Sequence, residues 1–369
     1  MAVRANYIAG LLEELAPRGL AEEWDNVGWQ VGDSQAEVSA VLVALDPSPA
    51  ALAQAKTVGA ELMITHHPLI FRPLKRLRLD IPAEALIAQF LAAKVGVYTL
   101  HTNLDNSPQG TSAVLARKLG LVETTVLSPS KRQQLYKLVT FVPPAHIEAV
   151  RRAVTDAGAG WIGKYSHCTF QTAGTGTFLP QEGTTPFIGE IGRLEYTDEL
   201  RLETIVPAER LGQVVEALQA AHPYEEVAYD VYPLVQKGQA YGLGCLGLLP
   251  EVKPLADFAQ QVKTALSLSA LAVVGEEDKP IGKVAVCGGS GSSKVHQASS
   301  AGADVLVTGD VKYHDAQDAA LLGLALIDAG HAGTENPLIF MLADYLTRRL
   351  KRHDVTVHTY CAPDIFRLI

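Results

Sequence analysis

Three unbroken apolar runs in the first third of the chain limit what it can become. Val41-Leu42-Val43-Ala44-Leu45, Leu62-Met63-Ile64 and the run 95–100 lack polar alternation, so each predicts a strand buried on both faces. Helical segments are predicted at about 5–15, 50–58 and 82–94, the last two lying between successive strands. Strands alternating with helices predict a parallel sheet covered on both sides. Ligands of such sheets collect beyond the carboxyl ends of the strands. The first run ends in Asp46-Pro47, the second in Thr65-His66-His67-Pro68, and the third in His101-Thr102-Asn103-Leu104-Asp105.

The paired histidines carry the first chemical signal. Neighbouring side chains on a regular strand point to opposite faces, so His66 and His67 converge only if the backbone turns. Pro68, with no amide hydrogen, fits a strand stopping there. Imidazole is the commonest ligand of zinc-like metals. A lone histidine is more often a hydrogen-bonded core or surface residue, and the adjacency moves the reading towards a metal.

The last third repeats the pattern. The run Val284-Ala285-Val286-Cys287 enters Gly288-Gly289-Ser290-Gly291-Ser292-Ser293, and a further strand over 304–308 ends at Thr308-Gly309-Asp310. Aligning Thr65 with Thr308 brings a Gly-Ala pair six residues before each into register, and 324–327 delivers Asp328-Ala329-Gly330-His331 much as 97–100 delivers His101. This internal similarity predicts two related α/β halves facing a shared site. The glycine-serine loop lacks a phosphate-loop lysine in register and reads either as an anion cradle or as tight-turn packing.

Between the halves the chain changes character. Strand, helix and strand predicted over 135–142, 145–157 and 168–177 are followed by a second set over 201–206, 208–221 and 226–232. Two such sets in about a hundred residues predict an α+β ferredoxin-like domain, with linkers at 128–130 and 236–239. The expected organisation is therefore 1–129, an insertion over 130–237, and 238–369. His222-Pro223-Tyr224-Glu225-Glu226 reads as a turn between helix and strand.

His331 and Glu335 are four apart and share a face of the helix expected to start near Ala332. With Asp105 they complete a candidate set: His66, His67, Asp105, His331 and Glu335. Asp105 on its own would also read as a turn or helix-cap residue. Five ligands exceed a closed tetrahedral site and suit two ions ~3.5–4 Å apart, with one carboxylate bridging and positions left for water. The absence of thiolate argues against a structural zinc. Zinc leads as the expected ion, with manganese, iron, cobalt and nickel open. Asp310 and His314 form another pair four apart, read as substrate-side contacts or as helix capping. With His101 they are candidates for proton transfer.

Bulk properties exclude several classes. A net charge of −9 argues against nucleic-acid binding, and the basic run Lys75-Arg76-Leu77-Arg78 reads first as a solvated loop. The cysteines Cys168, Cys245, Cys287 and Cys361 form no Cys-x-x-Cys pair, so neither a disulfide framework nor a thiolate metal site is expected. The start of the chain does not read as a signal peptide, and the apolar stretch 319–327 is far short of the ~20 residues a membrane span requires. A cytoplasmic protein is expected, with no nucleic-acid or membrane partner.

Trp24-Asp25-Asn26-Val27-Gly28, Thr65-His66-His67-Pro68, His101-Thr102-Asn103-Leu104-Asp105, Thr308-Gly309-Asp310 with Tyr313-His314, and Gly330-His331 with Glu335 together resemble the dinuclear-metal family of GTP cyclohydrolase I type 2 homologues, the NIF-three-like family. The resemblance implies two divalent ions per subunit on the five ligands, at the interface of the halves. It also implies a ring-shaped homohexamer with the metal sites facing an internal cavity, and a PII/CutA-like insert. The function it implies is a metal-dependent hydrolase acting on a nucleotide or other phosphorylated small molecule, with GTP ring opening by metal-activated water as the type reaction. The alternative expectation is a non-catalytic metal-binding or regulatory assembly with a sensor-like insert. Ala332 departs from the aromatic residue the family often carries there.

Overall fold

The computed structural model describes residues 2–366. They form a mixed α/β fold in two compact units, one built from the chain up to Lys131 and from Tyr241 onwards, the other from Arg132–Ala240. The chain passes between the units inside two long strands, Val122–Val142 and Tyr229–Pro254. The linkers expected at 128–130 and 236–239 are therefore strand. Pro129 and Gly242 mark close packing rather than flexibility: a Cβ on Gly242 would lie 2.1 Å from the Ser128 carbonyl oxygen.

In the larger unit the first apolar runs form a five-stranded sheet ordered Thr356–Tyr360, Ala40–Ala44, Leu62–Thr65, Gly96–Thr99, Gly28–Val31. The first four are parallel and Gly28–Val31 is antiparallel at the edge. Every side chain of the three central strands is buried, as their composition requires. The helix Pro49–Val58 is set by local signals: the Ser48 hydroxyl accepts from the Ala51 amide at 3.1 Å, and Gly59 ends the helix at φ +67°. The second parallel trio, Pro280–Ser290, Val305–Gly309 and Ala325–Asp328, continues to the antiparallel edge strand Ala272–Val274.

The two sheets of this unit exchange helices. Helix Thr111–Lys118 follows the first sheet in sequence, yet Leu115 and Ala116 pack with Val284, Val307 and Ile327 of the second. Helix His331–Arg349 follows the second sheet, and its Leu338, Ile339, Leu342 and Leu346 lie against Ile8, Leu12, Val41 and Leu62 of the first. Each core is thus closed by a segment from the other side of the chain.

In the smaller unit, Glu195–Pro207 pairs antiparallel with 135–142 on one side and with Thr169–Phe178 on the other. Helices Ile147–Asp156 and Leu211–Ala221 bury Val150, Val154, Val214 and Leu218 against Leu138, Val142, Leu202 and Val206. Among the described residues no helix is long and apolar enough to cross a membrane.

Phe90 is fully buried among Met63, Val97 and Leu52. Phe90→Ala should lower the unfolding free energy by about 3–5 kcal/mol, read by urea denaturation of the full chain.

Candidate metal centre

All the residues expected to bind metal fall in the larger unit, at the carboxyl ends of its parallel strands. Leu62–Thr65 stops where predicted, and the Thr65 hydroxyl meets that of Thr99 at 2.8 Å in the buried interior. Past it the chain turns, and the amides of both His66 and His67 bond the Leu45 carbonyl oxygen. That turn lets two consecutive imidazoles face one point, with ring centroids 5.0 Å apart. The expected turn 103–105 is a single helical turn, Thr102–Asp105, which presents Asp105. The helix carrying His331 and Glu335 begins at His331 itself, one residue before the expected start, because Gly330 enters it at φ +76°.

Four imidazoles share one orientation. His66 donates from Nδ1 to the Leu100 carbonyl oxygen at 2.7 Å. His67, His101 and His331 direct Nδ1 to Asp46 (2.7 Å), Asp25 (2.8 Å) and Asp310 (2.6 Å). An oxygen acceptor at Nδ1 fixes the tautomer and leaves each Nε2 to a ligand, as in metal-bound histidines generally. The Nε2 atoms of His67 and His331 are 3.3 Å apart.

Glu335 stands among them with 4% of its surface exposed. Its two oxygens face different partners. Oε1 is 3.5 Å from His66 Nε2, which is itself 3.6 Å from Asp105 Oδ1. Oε2 is 3.2 Å from His67 Nε2 and 3.1 Å from His331 Nε2. These approaches are close but out of line for hydrogen bonding: His66 Nε2 and Glu335 Oε2 are both buried with no hydrogen-bond partner among the described residues. Buried lone-pair atoms with no donor to meet them, all aimed at one space, are what a cation between them would satisfy. His67, His331 and Glu335 bring one donor atom each close enough to hold an ion, and so do His66, His67 and His101.

The glycine-serine loop belongs to this packing. Gly289 has φ +62°, and a Cβ there would lie 2.3 Å from Glu335 Oε1, so the loop closes the floor of the cluster. Its amide bonds the Thr334 hydroxyl at 2.9 Å.

Asp310 and His314 separate in role. Asp310, held at φ +54°, accepts from His331 and orients it. His314 is exposed on the helix Tyr313–Leu321 and meets Gln317 at 3.0 Å. Two positioning carboxylates escaped sequence reasoning. Asp25 is locked by the Asn26 amide and the Thr102 amide and hydroxyl, and Asp46 lies two residues past the strand Ala40–Ala44. Position at a strand's carboxyl end was the available signal for Asp46. Asp25 lies in a loop and had none beyond its place in a family motif.

Electrostatics follow from this crowding. Burial alone would push Glu335 up, but the three imidazoles hold it well below the usual carboxylate range. Burial disfavours charge on His67, yet Asp46 and Glu335 raise it to about 10. The Glu335 contact, against burial and aided by Asp310, raises His331 to about 9. Burial raises Asp105, opposed by His66. Burial is outweighed at Asp25, which His101 and Thr102 lower to about 2.

The signs give a test. His67 and His331 sit above their ordinary value of 6.5, so their stabilisation is complete below about pH 6.5 and lost as pH rises through about 9 and 10. Glu335, depressed from 4.5, contributes above that value and loses its contribution in acid. Chelator-treated protein should therefore be hardest to unfold between about pH 5 and 7 and weaken towards pH 10, as read from urea midpoints. Adding metal at pH 7 should release protons, seen as buffer-dependent heats in calorimetry.

Comparison with known proteins agrees with the architecture. A family model described as Duf34/NIF3 (NGG1p interacting factor 3) matches residues 3–364. A Halalkalibacterium halodurans protein named GTP cyclohydrolase 1 type 2 homolog is 46% identical over 321 residues, 87% of this chain and 86% of that one. A Bacillus subtilis protein of the same name is 44% identical over 329 residues, 89% and 88% of the two chains. The crystal structure of a Bacillus cereus protein related to NIF3 aligns with a TM-score of 0.94 at 42% identity, covering 100% of both chains. The chain belongs to the Duf34/NIF3 family.

Proposed function

We propose that this chain holds two divalent metal ions, zinc first among the candidates, and acts as a metal-dependent hydrolase on a nucleotide or other phosphorylated small molecule. The observation that carries the reading is the divided carboxylate of Glu335. One oxygen faces His66 and, through it, Asp105. The other faces His67 and His331. The donors therefore sort into two groups joined by a bridging residue, the arrangement a two-ion centre requires.

His101 aims its Nε2 at the same space and serves either as a further ligand or as a proton carrier, held by Asp25. Bound ions would supply Lewis acidity and water activation near neutral pH. The chain itself orients the ligands through Asp46, Asp310 and the Leu100 carbonyl, and buries the bridging carboxylate. The relatives' name, GTP cyclohydrolase 1 type 2 homolog, supports a purine nucleotide as the first substrate to assay. We read the unit Arg132–Ala240 as a ferredoxin-like, PII/CutA-like insert, supported by its helices on one antiparallel sheet. The homohexamer implied by the resemblance stays part of the proposal.

Elemental analysis of protein purified without chelators should give two metal equivalents per chain. Glu335→Ala should lose both and reduce turnover of GTP or a competing phosphoester by at least about a hundredfold, since it removes a bridging ligand. Full activity in that variant would remove the centre from the mechanism. Retained metal with no turnover of any nucleotide or phosphoester would favour the non-catalytic reading. Asp310→Ala should leave the stoichiometry intact and weaken metal affinity about 10–100-fold, measured against a competing chelator.

A further inference from the structure

The turn 222–226, read from sequence as a simple connection, borders a cleft of about 620 Å³ that lies wholly within the unit Arg132–Ala240. Phe141, Phe178, Phe187 and Tyr224 wall it, and the strand Thr169–Phe178 supplies a small-residue side through Gly174 and Gly176. The rings of Phe178 and Phe187 sit 6.3 and 6.1 Å from that of Tyr224. The turn itself is fixed: His222 donates from Nε2 to the Phe141 carbonyl oxygen at 3.0 Å, and its Nδ1 accepts from the Tyr224 amide at 3.2 Å.

One carboxylate sets the chemistry. Glu199 lines the cleft and is 9% exposed, so it is nine-tenths buried. Its Oε1 accepts from the Tyr224 hydroxyl at 2.9 Å, and Oε2 has no hydrogen-bond donor among the described residues. Burial and the Glu199 contact push that hydroxyl up to about 12, so it remains a donor at neutral pH. Room for the free oxygen exists only because residue 176 is glycine: a Cβ there would lie 2.2 Å from Oε2. The rest of the lining keeps the sign negative. Glu225 and Glu226 also border the cleft, and Arg201, its one lining cation, is engaged by Glu203 at 2.8 Å. A largely buried carboxylate with one oxygen held by Tyr224 and the other beside Gly176, surrounded by aromatic rings, favours a cation over a neutral or anionic guest.

We propose that this cleft binds a small organic cation, an ammonium group carried on an aromatic or branched apolar body, with the ammonium at Glu199 and the body among Phe178, Phe187 and Tyr224. The assignment is independent of the metal centre. Calorimetry of the full chain with 2-phenylethylamine, 2-phenylethanol and 3-phenylpropionate tests it directly. The amine should bind at least about tenfold more tightly than the alcohol, the carboxylate more weakly still, and chelation of metal should change none of these. Glu199→Gln, nearly the same shape, should abolish the preference for the amine. The proposal is overturned if alcohol and amine bind alike, if the carboxylate binds best, if amine binding vanishes on chelation or persists unchanged in Glu199→Gln, or if the amine does not bind at all. The ligand series on the unmodified chain decides the question even if the variant folds poorly.

Discussion

A carboxylate buried without a countercharge is among the least favourable arrangements a protein interior can hold, and Glu335 escapes it only because three imidazoles come to meet it. Those imidazoles arrive from two widely separated parts of the chain, two from the strand end at Thr65 and one from the head of the helix His331–Arg349. Around this contact the remaining architecture makes sense. The Leu45 carbonyl turns His66 and His67 together, Gly289 leaves space for Oε1, and Asp46 and Asp310 fix the ring orientations. The same contact explains the large upward shifts of His67 and His331 and the opposite shift of Glu335, which are one interaction seen from its two sides.

Much of this was legible in the sequence, and for identifiable reasons. Val41, Leu42 and Val43, or Met63 and Ile64, cannot belong to a half-exposed strand, so burial on both faces could be read directly. From that followed the parallel sheet and the importance of its carboxyl ends. His66-His67 and the four-residue step from His331 to Glu335 then pointed to the centre, because strand ends and helix faces translate spacing into direction. What stayed illegible depended on contacts distant in sequence. Nothing near Asp25 announces that it will grip His101 and Thr102, and an aspartate after a strand such as Asp46 looks like any capping residue. The edge strands Gly28–Val31 and Thr356–Tyr360 are short and only partly buried, so their composition carries little signal.

The stretch 222–226 is the turn between helix and strand that its sequence predicts, and its contacts reach further than the turn. Its histidine does serve the turn, donating to Phe141, but the adjoining Tyr224 reaches the carboxylate of Glu199, which comes from a different strand. A local motif can hold a loop in place and shape a recess at once. Only the distant partner reveals the second role.

The exchange of helices carries a consequence for how the chain is made. During synthesis from the amino end, the first five-stranded sheet has its central strands by Thr99, but the apolar face meant for Leu338, Ile339, Leu342 and Leu346 must wait for those residues to leave the ribosome. Its edge strand, Thr356–Tyr360, emerges later still. Until then Val41 and Leu62 lie against an unfinished surface. The nascent protein thus passes through an interval, set by the rate of translation, in which that apolar surface stands open to its neighbours.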